Sequence, residues 1–109
     1  MNWGLEIAYF FGGAFLANAL PHFISGAMGR ALQSPFAKPP GQGYSTSFTN
    51  VIWGFVNFVI AYVLLVRIGD FDIRDPVQIG AAALGAFLIA LHLGRYFGKF
   101  NGGNAAKFS

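Results

Sequence analysis

Five polar side chains stand isolated within long apolar runs of this 109-residue chain: Asn18, His22, Asn50, Asn57 and His92. An amide or imidazole in such surroundings is costly unless it has a partner, so each of the five asks for a bond or a task. A histidine there can relay a proton, line a solute path or bind a metal through one ring nitrogen. Two on different segments at related depth can ligate one haem iron, which makes His22 and His92 the candidate ligands of a bis-histidine haem. Neither a third ligand nor a carboxylate to orient the rings lies on the same side, so the preferred reading has two neutral, hydrogen-bonded packing residues and no cofactor. Asn18 and Asn57 fall at matching depth and can bond to each other.

Spacing ties these residues to small ones. At helical steps of three and four, one stripe runs Ala14, Asn18, His22, Ser25, Gly29. A second runs Asn50, Gly54, Asn57, Ala61, and a third Ala81, Gly85, Leu88, His92, Arg95. Small residues let helix backbones approach closely, and amides bond across helices in lipid for roughly 1 kcal/mol. The stripes therefore predict a packed interface, within one chain or between copies, with Gly13, Ala17, Gly54, Ala81 and Gly85 as its packing positions.

The elements that position these stripes are long and greasy. Ser47 to Val66 carries no charged side chain before Arg67, and a helix of about 20 such residues matches the roughly 30 Å hydrocarbon core of a bilayer. Two further apolar runs flank it. With 55% hydrophobic residues, 13 phenylalanines among them, and only 10% charged residues, the chain lies far from the soluble norm of about 25% charged. The predicted fold is all-α, one membrane domain with transmembrane helices over about 3–29, 47–67 and 76–98 and a flexible tail over 99–109. Residues 3–29 read as a retained helix and not a signal peptide, since the leader carries Glu6 and no cation. Pro21 predicts a kink in it, because proline removes a donor and crowds the carbonyl of Ala17; Asn18 or a neighbouring helix would satisfy that carbonyl. In a variant, residues 3–20 span and 23–32 lie along the interface.

The connection over residues 30–46 holds Pro35, Pro39, Pro40, Gly41 and Gly43, which predicts a stiff exposed linker, polyproline-like at Lys38–Pro40. Its functional alternatives are a docking segment or a flap over a mouth between helices. Hydroxyls near Ser47 can cap the second helix, and Asp75-Pro76 signals the start of the third.

Three crossings gather Arg30, Lys38, Arg95, Lys99 and Lys107 on one side without an acid. Arg67 and Arg74 share the other side with Glu6, Asp70, Asp72 and Asp75. The positive-inside tendency then places the C-terminus in the cytoplasm and the N-terminus across the membrane, with a bacterial inner membrane as the simplest host.

Several chemistries are excluded. Without cysteine there is no disulfide, thiolate metal site or thiol nucleophile. Asp70, Asp72 and Asp75 lack the glycine and the bidentate glutamate of a calcium loop, and no phosphate-binding glycine loop or nucleophile elbow occurs. The chain is read as a non-enzyme that binds no nucleic acid and whose partners are the bilayer and its own copies or a larger membrane complex. Its expected role is that of a non-catalytic accessory or oligomerising subunit. The alternative is a homo-oligomeric minimal transporter or channel whose path is lined by Asn18, His22, Asn57 and His92, since three spans are too few to enclose a path alone.

Overall fold

The computed structural model describes residues 2–105; Lys107 of the charge count lies outside them. Helix α1 spans Trp3–Ala27 and is followed by two short strands, β1 (Leu32–Gln33) and β2 (Tyr44–Ser45). Helix α2 covers Ser47–Tyr62 and continues as a π-helical turn, Val63–Ile68. Helix α3 covers Pro76–Asn101 and ends in a single 3-10 turn, Gly103–Ala105. The three helices are 25, 22 and 26 residues long, counting the π turn with α2, and each is long and apolar enough to cross a membrane.

Side chains set the helix starts. Asn2 accepts from the Leu5 amide at 3.2 Å, Thr46 from the Thr49 amide at 3.1 Å, and Asp75 from the Val77 and Gln78 amides at 2.9 and 3.3 Å. Pro76 occupies the first turn of α3, where its missing N–H costs nothing. The ends fall differently from the expected ones. α1 stops at Ala27, because Gly29 adopts a left-handed φ of 77° and the Gly29 and Arg30 amides turn back to Gly26 and Ser25 carbonyls at 2.9 and 2.8 Å. α3 passes Gly98 and runs to Asn101, where Gly102 at φ 88° supplies the left-handed cap. Residues 99–101 thus belong to α3 and 103–105 to the closing turn, and 106–109 of the expected flexible tail lie outside the described residues. α1 runs unbroken through Pro21.

α1 is the centre of the bundle. It packs along α2 on one flank and α3 on the other, whereas α2 and α3 scarcely touch. Both contacts depend on glycine. A Cβ on Gly13 would lie 1.9 Å from the Ala82 carbonyl oxygen, and one on Gly85 would lie 1.9 Å from that of Phe10. A Cβ on Gly54 would lie 2.5 Å from the Phe23 nitrogen. Backbone thus meets backbone at the α1–α3 and α1–α2 crossings, the close approach that small residues permit. Large apolar side chains point outward instead: Ile7, Phe11, Leu20 and Ile24 on α1, Phe48, Phe55 and Val59 on α2, and Leu84, Phe87 and Leu91 on α3 are all exposed.

The 28–46 connection corrects the expectation of an exposed linker. β1 and β2 pair antiparallel, Leu32 with Ser45 and Gln33 with Tyr44. Leu32, Gln33, Ser34, Ala37 and Ser45 are buried. The segment folds over the ends of the helices and is fastened to α3: the Tyr44 hydroxyl donates to the Phe100 carbonyl at 2.8 Å, and the Tyr96 hydroxyl to that of Gly41 at 2.5 Å. Proline and glycine here shape a compact flap.

At the opposite end the Tyr9 hydroxyl, buried in α1, donates to the Gly69 carbonyl just past the π turn, and the Tyr9 ring meets Phe71 edge-on at 5.6 Å. A Cβ on Gly69 would fall 2.5 Å from the Tyr9 ring, so the turn can seat on α1 only through a residue without a side chain. Tyr9→Phe should keep the ring packing and lose the bond, lowering unfolding free energy by about 1 kcal/mol in a chemical denaturation series.

Candidate functional site

Asn50 organises the flap end of the molecule. Its side chain is 0% exposed, on the face of α2 that meets α1. Its amide nitrogen points at three carbonyl oxygens, those of Leu32, Ser45 and Thr46, at 3.1, 3.2 and 3.0 Å. Only an N–H₂ group can face three acceptors, so Oδ1 must face the other way, toward His22 Nδ1 at 2.7 Å. That oxygen can only accept, which places the imidazole proton on Nδ1 and leaves a lone pair on Nε2. One side chain thereby fixes the strand pair, the start of α2 and the tautomer of His22.

A second bond ties α1 to α2 one turn deeper. Asn18 donates to Asn57 Oδ1 at 2.9 Å, and Asn57 in turn donates to the Trp53 carbonyl one turn back at 2.8 Å. Asn18 thus directs its amide at Asn57 and not at the Ala17 carbonyl, to which Pro21 has no N–H to offer. Asn57 is 0% exposed. A double-mutant cycle on Asn18→Leu and Asn57→Leu should give a coupling of about 1 kcal/mol, with the double variant less damaged than the sum of the singles.

His92 differs. It is exposed on α3 and its ring stacks on Tyr96 with centroids 6.1 Å apart and planes 28° from parallel. It is nevertheless close to the others in one respect: a cleft of about 200 Å³ is lined by Asn18, His22, Gln33, Trp53, His92 and Tyr96 among others. Its floor is α1, its walls α2 and α3, and the flap covers it. Asn50 and Asn57 are buried behind this surface and do not line it. Among the described residues no group of three or more histidines and carboxylates could hold a metal ion.

The packing positions divide. Gly13, Gly54 and Gly85 sit at the crossings described above. Ala17 and Ala81 are half-buried beside them, and Ala82, one residue on from Ala81, is the true partner of Gly13. Sequence reasoning missed Gln33. This side chain is 1% exposed; its Oε1 accepts from Asn101 at 3.0 Å, and its buried amide nitrogen has no partner among the described residues. Its position in a Pro- and Gly-rich connection hid it, and only an amide two residues before Pro35 hinted at more than a linker. Comparison of the chain with protein-family profiles, with curated proteins and with solved structures found no match.

Proposed function

We propose that this protein is an integral membrane protein whose three helices cross the bilayer, the first bent at Pro21, with the N-terminus outside and the C-terminus in the cytoplasm of a bacterial inner membrane. It works there as a non-catalytic subunit that associates with its own copies or with a larger membrane assembly. The small and polar face of α2 and the glycine crossings of α1 and α3 are occupied inside the chain, so association uses what they leave uncovered. The observation that carries this reading is on α3, where Gly80, Leu84, Phe87, Leu91 and Gly94 are all exposed and recur at steps of four and three. That alternation places five residues along one seam of a helix, the pattern that seats one helix against another, and among the described residues nothing lies within 4 Å of a Cβ placed on either glycine.

Native mass measurement after purification in mild detergent tests it, and a visible spectrum of the same sample reports any haem held by His22 and His92. The expected result is a defined oligomer or complex that Gly94→Ile dissociates without changing the helix content. A monodisperse monomer would defeat the associating role. Solute transport by a reconstituted oligomer, lost in His22→Ala, would favour the transporter alternative instead.

A further inference from the structure

The cleft on the flap side contains two unsatisfied groups of opposite kind. The Tyr96 hydroxyl is bonded to Gly41, the Ser34 hydroxyl shares a 2.5 Å bond with Ser45, and Asn18 is bonded to Asn57. Among the described residues the one fully buried polar side-chain atom without a partner is the amide nitrogen of Gln33, a donor; beside it the His22 Nε2 lone pair is an acceptor with no bond of its own, while the Trp53 indole N–H and the His92 ring belong to the more open walls. The Gln33 amide cannot turn to relieve itself. Asn101 donates to the Phe97 carbonyl at 2.9 Å with the same amide nitrogen that reaches Gln33, so Gln33 must present its oxygen there and its N–H₂ elsewhere. A donor buried without a partner carries a desolvation cost that a bound group with an acceptor atom would remove.

The walls restrict what that group can be. Among the described residues no charged side chain lines the cleft, and Lys99, whose ammonium sits 4.5 Å over the Tyr96 ring, is not part of the lining, so the lining itself offers a phosphate or carboxylate no counter-charge. Flat rings dominate instead: Trp53 on one side, His92 stacked on Tyr96 on the other, and the His22 ring held edge-on between Trp53 and Phe97 at 6.4 and 5.6 Å. α2 and α3 scarcely touch, so no contact between these two helices seals the cleft that both of them line.

We infer that this cleft binds a neutral lipophilic molecule with a hydroxylated aromatic ring, of the hydroquinone class. One ring oxygen accepts from Gln33, one hydroxyl donates to His22 Nε2, and the ring lies against the aromatic walls. Entry from the bilayer rests on the membrane placement proposed above; the pairing of groups does not.

The test uses the full chain purified in detergent and carrying Trp3→Phe, which leaves Trp53 as its one tryptophan and hence a reporter within the cleft. Trp53 emission is followed during titration with a short-tailed hydroquinone and, separately, with its dimethyl ether, which keeps the ring and the acceptor oxygens but has no hydroxyl to donate. The expected result is saturable quenching by the hydroquinone and binding of the ether weaker by about tenfold, the loss of one buried hydrogen bond. His22→Asn, which can still donate to Asn50 but lacks Nε2, should bind both alike and weakly. The comparison of the two probes on otherwise unchanged protein holds even where that variant does not fold. Non-saturable quenching of equal strength by both probes would overturn the inference and leave the cleft a site for water. Retention of the protein in the membrane fraction is scored separately, so that failure of the placement and failure of the site are told apart.

Discussion

Gly13→Val and Gly85→Val should each lower the unfolding free energy by about 3 kcal/mol, whereas Gly80→Ala and Gly94→Ala should leave it within about 1 kcal/mol of the parent. The first two glycines face backbone carbonyls of the neighbouring helix, at a distance where a Cβ would overlap the oxygen. Backbone cannot rotate aside as a side chain does. α1 and α3 would have to separate along their whole length, and the contacts of Tyr9 and Asn18 with the rest of the bundle would shift with them. At the other two glycines an added methyl group would meet nothing within 4 Å, and replacing them adds only helix propensity. Chemical denaturation followed by circular dichroism in one detergent measures all four on one scale. Equal losses in both pairs would mean that α1 and α3 do not cross at these positions.

Asn50→Leu should be of similar severity, about 3 kcal/mol, and its damage should concentrate in the flap. Leucine fills most of the space but takes the side-chain partner from the Leu32 and Ser45 carbonyls and from the His22 Nδ1 proton in a buried site, while the Thr46 carbonyl keeps the residue-50 backbone amide, and each such group carries about 1 kcal/mol or more. Asn50→Asp gives the sharper comparison. It keeps an acceptor for His22 yet sets a second oxygen against three carbonyl oxygens, so it should fail to rescue. The flap would then lift from the helix ends, and trypsin should cleave after Arg30 much faster than in the parent. A flap as protected in both variants as in the parent would show that Asn50 does not hold it.

Much of this arrangement is legible in the sequence where a local rule suffices. Asp75-Pro76 starts α3 because both residues act on amides within one turn. The stripe Asn50, Gly54, Asn57, Ala61 coincides with the buried residues of α2, since α2 meets one neighbour and so buries one face. α1 meets two, and its buried set is split between two flanks: Tyr9 and Gly13 lie off the stripe drawn through Asn18 and His22. On α3 the polarity of His92 and Arg95 drew the stripe toward residues that are exposed, while the face in contact is set by Ala82 and Gly85, where backbone can come close. The flap was the least legible part. Its burial depends on Asn50, Tyr96 and Asn101, partners contributed by two distant helices, and proline and glycine reveal only that the chain turns there.

In the proposed arrangement three apolar helices carry the chain across a bilayer, with the flap and the α2–α3 turn on opposite surfaces. Because the protein has no cysteine, it can be labelled at chosen points. Gln42→Cys in the flap and Ile73→Cys in the α2–α3 turn both replace exposed residues. With a membrane-impermeant maleimide on intact bacterial cells, Ile73→Cys should label at once and Gln42→Cys only after the membrane is opened. Labelling of both variants to the same extent on intact cells would place the two ends of the bundle on one surface and contradict this arrangement.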